Sequence, residues 1–423
     1  MKKMMSSRQT CSSVAGLLFW LAGTCLCFAA DSVMDDYLAN TVHDEQLASE
    51  GALLSEAGSL GPADSLFKEM EFRFSQDKLS QDKQTFSLRV EPRGIKERVL
   101  ERRGYQTSMD LYRTRREMVF RRILLDRYAT LIDGIWFGEL LTVKKQLLAV
   151  YRDRLTYLEE IMGSAAFDTK KYLEAHNQKR EMEIETAFLE ETLFFLENRV
   201  LSNLNRDTRN CFDTASLVSM KRIRQIMEDC LPECAPDNIF TRRAEIQAGL
   251  ADIEFQKEKS RSWLSFIQTS WERSKNNSAD ESFSIELGIP LPFFDSGKDF
   301  EIKKRIQARV ERTNRDLVRH EEQDRKYQAM DELLKQLDSY ERFEDMCRNQ
   351  KDTASETMLQ QMETEDPDVL LYLKKEELES RARLIEMARS VYTAYIGMMD
   401  VLGRVSSEVP RNLLCKSGGA DLW

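Results

Sequence analysis

The residues of this 423-residue chain whose types could do chemistry are few, and their spacing limits the chemistry open to them. His43, His176 and His320 are the only imidazoles and stand far apart, so no histidine-based ligand cluster is expected. Three of the eight cysteines, Cys11, Cys25 and Cys27, fall in the first thirty residues, leaving Cys211, Cys230, Cys234, Cys347 and Cys415. The Cys230-Leu-Pro-Glu-Cys234 spacing is not a zinc pattern, and no Gly-rich phosphate loop, nucleophile elbow or paired metal motif is present. The expectation is therefore no enzyme, no catalytic residue, no metal and no cofactor. What remains is electrostatic. Met362-Glu-Thr-Glu-Asp-Pro-Asp368 gathers Glu363, Glu365, Asp366 and Asp368 where a helical pattern resumes, with Asp366 as N-cap and Pro367 at the first helical position. Acids there favour a helix N-terminus, and repeated around an opening they favour cations.

The elements that must position such a turn are organised around one stretch. From Ser282 to Leu291, Phe283, Ile285, Leu287, Ile289 and Leu291 alternate with Ser282, Ser284, Glu286, Gly288 and Pro290, a period of two that makes one face apolar. About ten residues is the length a tilted strand needs to cross a bilayer. From about Lys298 the chain turns charged and helical to about Gln360, with Leu317, Tyr327, Met330, Leu334, Leu337, Tyr340 and Phe343 as its apolar seam. A return helix follows the turn at Glu363 to Asp366.

Earlier in the chain the same order occurs. Met70, Phe72 and Phe74, then Phe86, Leu88 and Val90, alternate with polar residues across a turn at Gln76 to Lys83, which predicts a hairpin with one apolar face. Pro92-Arg-Gly94 ends it, and a helix is expected from about Ile95 to Met162. Its seam is Leu124, Leu131, Leu140, Leu147, Tyr151, Leu155, Leu158 and Met162. The turn Met162-Gly163-Ser164 leads to a return helix from about Asp168 to Leu201. A helix from about Thr241 to Lys259 and a less regular strand, Trp263 to Arg273, complete a second hairpin with the Ser282 strand. Trp263, Trp271, Phe293 and Phe294 fit either an interfacial girdle or a core.

These elements divide the chain into residues 1–30, an export signal; 31–202, a first repeat of hairpin and long helical hairpin; 203–240, a loop-like linking segment; 241–405, a second repeat; and 406–423, a tail. Residues 31 to 68 read as weakly helical, broken at Gly51, Gly58 and Gly61-Pro62. The signal carries three positive charges and no negative one, so the net charge of -10 becomes -13 without it, which argues against a nucleic-acid partner. A lipid anchor at Cys25 is an alternative to cleavage after Ala29 or Ala30. In an exported chain, one disulfide is expected among Cys211, Cys230 and Cys234, the pair left open.

Four membrane strands cannot close a barrel, and an open edge in hydrocarbon leaves backbone groups unpaired, so closure must come from other copies. Glu71, Arg73, Ser87, Arg89, Ser284 and Glu286 would then face a wet lumen. The run Leu287-Gly-Ile-Pro-Leu-Pro-Phe-Phe-Asp-Ser-Gly-Lys298, with its following helix, resembles the strand-to-helix signature of the TolC-type outer-membrane efflux family, and the resemblance extends over nearly all of the chain after the signal. It implies a homotrimer whose twelve strands form a β-barrel in the outer-membrane bilayer above a coiled-coil tunnel in the periplasm, working passively with a periplasmic adaptor and an inner-membrane pump. Gly163 and Asp168 are similar to the family's tunnel-tip turn, where an adaptor docks. Glu363, Glu365, Asp366 and Asp368 would ring the pore mouth, although this second tip lacks the glycine. The competing reading is a structural or adaptor-like periplasmic coiled-coil protein with a small soluble β-domain. Cargo, partner pump, and drug efflux as against protein secretion stay open.

Overall fold

The computed structural model describes residues 33–62, 65–76, 83–164, 167–204, 212, 217–230, 238–260, 266–274, 282–289, 297–350, 367–405 and 412–415. The elements, in order, are α1 (33–39), a 3-10 turn Asn40–His43, α2 (Glu45–Leu60), β1 (Phe67–Gln76), β2 (Lys83–Pro92), α3 (Ile95–Glu160), α4 (Thr169–Leu204), α5 (Met220–Cys230), α6 (Ile239–Lys259), β3 (Phe266–Ser274), β4 (Ser282–Gly288), α7 (Gly297–Gln350) and α8 (Pro367–Val401). The protein is thus mainly helical with a small antiparallel sheet. The 66 residues of α3 make a rod of about 100 Å at about 1.5 Å per residue.

The chain packs as two units, each assembled from both halves of the sequence. One contains residues 46–118 and 237–322. Here the sheet runs in the order β1-β2-β3-β4, all neighbours antiparallel. Its helices follow the same order. Tyr105 of α3 donates from its hydroxyl to the Ala57 carbonyl of α2 at 3.0 Å, and Arg115 pairs with Glu50 at 2.9 Å. Lys257 of α6 reaches Glu101 of α3 at 2.7 Å, and a Cβ on Gly104 would lie 3.5 Å from Ile253. Lys304 and Arg312 of α7 pair with Glu254 and Asp252 of α6 at 2.6 and 2.8 Å. The helix layer is therefore α2-α3-α6-α7, which places each helix beside the strand it precedes or follows in the chain.

The other unit contains residues 1–45, 119–236 and 323–423. Leu140, Val143, Leu147 and Tyr151 of α3 bury against Met182 and Leu189 of α4 and Leu378, Ala382 and Ile385 of α8. Arg121–Asp400, Arg389–Asp133 and Arg154–Asp368 link α3 to α8, the numbers rising on one helix as they fall on the other, so the two are antiparallel. Seven of the eight expected seam residues of α3 are buried; Met162, past the helix end, is exposed.

Several expectations are corrected. The glycines Gly51 and Gly58 do not break α2, which runs through both; each glycine costs a helix about 1 kcal/mol, and here packing on α3, with Met109 beside Gly58, offsets it. The linking segment 203–240 is not loop-like throughout, because Ile223, Ile226, Met227 and Cys230 stand at helical spacing and bury one face of α5. Within the tail, Leu413, Leu414 and Cys415 are buried, Cys415 forms an isolated antiparallel bridge with Leu217, and the Val218 amide donates to the Leu414 carbonyl at 2.8 Å. On α7, Met330 and Leu337 are buried as expected, but Leu317, Tyr327 and Leu334 are exposed, and Ala308 and Leu333 take the inner face. Cys230 is a buried thiol, so the expected disulfide does not include it here; Cys211 and Cys234 lie outside the described residues. The export signal, Cys25, Trp263, Phe293, Phe294 and the end of the expected helix at 351–360 also lie outside them.

Candidate membrane sheet and helical tip

The register of the sheet sorts its residues into two faces. Across the four strands, Met70, Val90, Ile267 and Leu287 form one row; Phe72, Leu88, Thr269 and Ile285 the next; and Phe74, Phe86, Trp271 and Phe283 a third. Strand side chains alternate, so these rows share a face. Among the described residues nothing covers it. Phe72 and Phe283 are 67% and 66% exposed, and Met70, Ile285 and Leu287 are each 61% exposed. Trp271 stacks on Phe86 at 5.8 Å between ring centroids, with Phe74 at 4.9 Å from Phe86, so the row nearest the hairpin turns is an aromatic band.

The opposite face is polar. Glu71, Arg89, Gln268 and Glu286 form one row, and Arg73, Ser87, Ser270 and Ser284 another, with Ser75, Thr85, Glu272 and Ser282 beyond. All six residues expected to line a lumen are on this face; Gln268, Ser270 and Glu272 join them, unnoticed in the sequence because β3 alternates weakly. Arg73 chelates Glu71 at 2.7 and 2.8 Å, and the Ser270 and Ser284 hydroxyls lie 2.6 Å apart. Phe266 is an aromatic exception. A Cβ on Gly288 would sit 2.2 Å from its ring, so the ring lies across the glycine, with the Arg89 guanidinium 4.2 Å from the ring centroid. Among the described residues β1 pairs only with β2 and β4 only with β3, leaving both sheet edges open.

At the first helical turn, Gly163 adopts φ 94°, a conformation that costs other residues and that reverses the chain between α3 and α4. Asp168 caps α4: its carboxylate accepts from the Lys170 amide at 2.8 Å. The ring of Phe167 packs on Tyr172 at 6.1 Å. Asp368, in the first turn of α8, is bound by Arg154 near the end of α3 at 2.8 Å and by Lys171 at the start of α4 at 3.4 Å. The beginning of α8 therefore lies against the first tip, and the charge of Asp368 is compensated. Glu363, Glu365 and Asp366 lie outside the described residues, as does the expected Asp366 cap. No described helix is long and apolar enough to cross a membrane, and no described group of His, Cys, Asp or Glu could hold a metal.

The sheet, with one apolar and one polar face, is continuous with paired long helices. Neither a scan of protein-family profiles nor a search of curated proteins finds a match. Solved structures do. The open-state outer-membrane channel MtrE of Neisseria gonorrhoeae superposes with a TM-score of 0.65 at 7% identity, over 90% of this chain and 91% of that one. For the outer-membrane channel OprN the values are 0.64 and 11%, over 88% and 90%. The outer-membrane protein VceC of Vibrio cholerae gives 0.63 and 9%, over 88% and 96%. The chain has the TolC-type outer-membrane channel fold.

Proposed function

We propose that the chain is one subunit of a passive outer-membrane channel, a homotrimer whose strands complete a barrel in the lipid bilayer and whose helices form a periplasmic duct. The observation that carries this reading is the sheet: a contiguous apolar face left exposed, a polar face behind it, and both edges without a partner strand among the described residues. In water an exposed apolar patch of this kind is a liability, whereas in lipid it is the required surface. Each unpaired backbone group at an edge costs several kcal/mol in hydrocarbon, so the edges call for strands from further copies. The fold shared with outer-membrane channels supports the same reading.

The chain then supplies two versions of one plan, hairpin followed by long helical hairpin, and acts without catalysis or cofactor. An adaptor meeting the Gly163 and Asp168 turn, and an inner-membrane pump behind it, are the partners this role implies. The alternative, a soluble coiled-coil adaptor, is disfavoured by the uncovered sheet face. Purified from membranes in mild detergent, the protein is expected to run as a heat-dissociable oligomer of three chains and to conduct in a planar bilayer. Recovery as a water-soluble monomer without conductance would sink the channel reading in favour of the rod.

A further inference from the structure

Phe266 breaks the alternation of the sheet. It begins β3 with the parity of Gln268 and Ser270, which puts it on the polar face, at the end where β2 and β4 lead on to α3 and α7. The position is built to hold a ring. Its partner across the strands is Gly288, whose missing side chain leaves the space that the ring fills, since a Cβ there would stand 2.2 Å from a ring atom. Over the same ring, 4.2 Å from its centroid, lies the Arg89 guanidinium of β2.

The charges around this stack give it a second role. Of the two arginines in the adjoining polar rows, Arg73 is chelated by Glu71 at 2.7 and 2.8 Å, so those two charges cancel. Arg89 stands 3.7 Å from Glu91, beyond hydrogen-bond length, although Glu71 is its partner across β1 and β2 and Glu69 faces Glu91. An aromatic face takes up one side of a guanidinium plane and leaves its charge and its N–H donors in place. The Arg89 side chain is 32% exposed, so those donors still reach solvent on the polar face. We propose that Arg89, seated on Phe266 over Gly288, is a selectivity-determining residue: a fixed positive charge at an acidic end of the lumen, where chloride and the carboxylate or phosphate groups of passing solutes find a contact. Phe266 is its positioning residue, because without the ring the guanidinium can fold onto Glu91 or Glu71 and lose its field. The proposal rests on the channel reading, in which the polar face turns to the lumen.

The test is the reversal potential of the full-length protein, purified from membranes and placed in a planar bilayer under a potassium chloride gradient. In Arg89→Gln the chloride-to-potassium permeability ratio is expected to fall about threefold. Phe266→Leu keeps apolar volume and removes the ring face; it is expected to shift the ratio the same way and to add nothing in the Arg89→Gln background. Phe266→Tyr restores the ring and is expected to hold the wild-type ratio. The two single variants alter different strands, so either serves should the other fail to assemble. A conducting Arg89→Gln or Phe266→Leu pore with the wild-type ratio, or shifts that add in full, overturns the proposal and leaves the channel intact, the stack then serving the strand end alone. A wild-type protein that does not conduct overturns both.

Discussion

At Gly134, in the middle of α3, a Cβ would stand 2.3 Å from the ring of Phe212, a distance no real side chain tolerates. The glycine is a seat for an aromatic residue from the segment joining the two halves. Replacing a helical glycine with alanine ordinarily stabilises by about 1 kcal/mol, while forcing a methyl into an occupied site costs roughly 1 to 3 kcal/mol. The two effects have opposite sign, which makes the position diagnostic. Gly134→Ala is expected to lower the thermal midpoint, and in a Phe212→Ala background the same change is expected to raise it. A double-mutant cycle on chemical denaturation reads the coupling, and additive effects would show that Phe212 does not occupy that seat in solution. The sequence contained both residues, but nothing in a lone glycine and a lone phenylalanine 78 positions apart links them.

At the scale of elements, α3 and α8 bury their phenols along their shared faces. Burial raises Tyr128, Tyr392 and Tyr395 well above the ordinary tyrosine range and pushes Tyr151 up to about 12, with Glu379, accepting from its hydroxyl at 3.3 Å, adding to the rise. A free phenol titrates near 10, so the unfolded chain releases these protons at lower pH than the folded one. The stability held by the neutral phenols is therefore fully present below about pH 10 and is lost as pH rises through 12. Helix melting followed by circular dichroism is expected to give a midpoint unaffected by these groups up to about pH 9 and falling above 10, with a shallower fall in Tyr151→Phe. An alkaline slope identical in that variant would mean Tyr151 is not buried as described. These helices, and the strands with their faces, were legible because long periodic stretches state their own period: the bounds expected at Ile95 and Pro367 hold. What was not legible depends on partners. α7 carries two apolar stripes, and only packing against α6 and α8 decides which one turns inward; α5 hid among prolines and cysteines although Ile223, Ile226, Met227 and Cys230 carried its signal. Residues 33–39 looked uninformative, yet Met34, Tyr37 and Leu38 are almost wholly buried, since seven residues are too few for a period to declare itself.

For the whole assembly, the remaining question is where a pore of this kind would choose its ions. Of the four acids at the second turn, Asp368 is held by Arg154 and Lys171 and contributes little net field. Glu363, Glu365 and Asp366 carry the expectation alone, three carboxylates per chain around a narrow opening if the turn lies at the mouth of the duct. Acidic rings favour cations, whereas acids that only support a helix N-terminus contribute about 0.3 to 1 kcal/mol each and leave permeation untouched. Glu363 and Glu365 precede the helix, so neutralising them spares the first turn of α8 and separates the two roles. With Glu363→Gln and Glu365→Gln together, single-channel recordings in a salt gradient are expected to show the reversal potential moving severalfold toward non-selectivity, with the thermal midpoint unchanged. Asp368→Asn supplies the contrast: selectivity is expected to hold, while the ion pairs joining α8 to the first tip are lost and amide exchange at residues 161–172 quickens. If the double variant leaves the reversal potential where it was, the acids serve the helix start only, and this turn does not stand at the mouth.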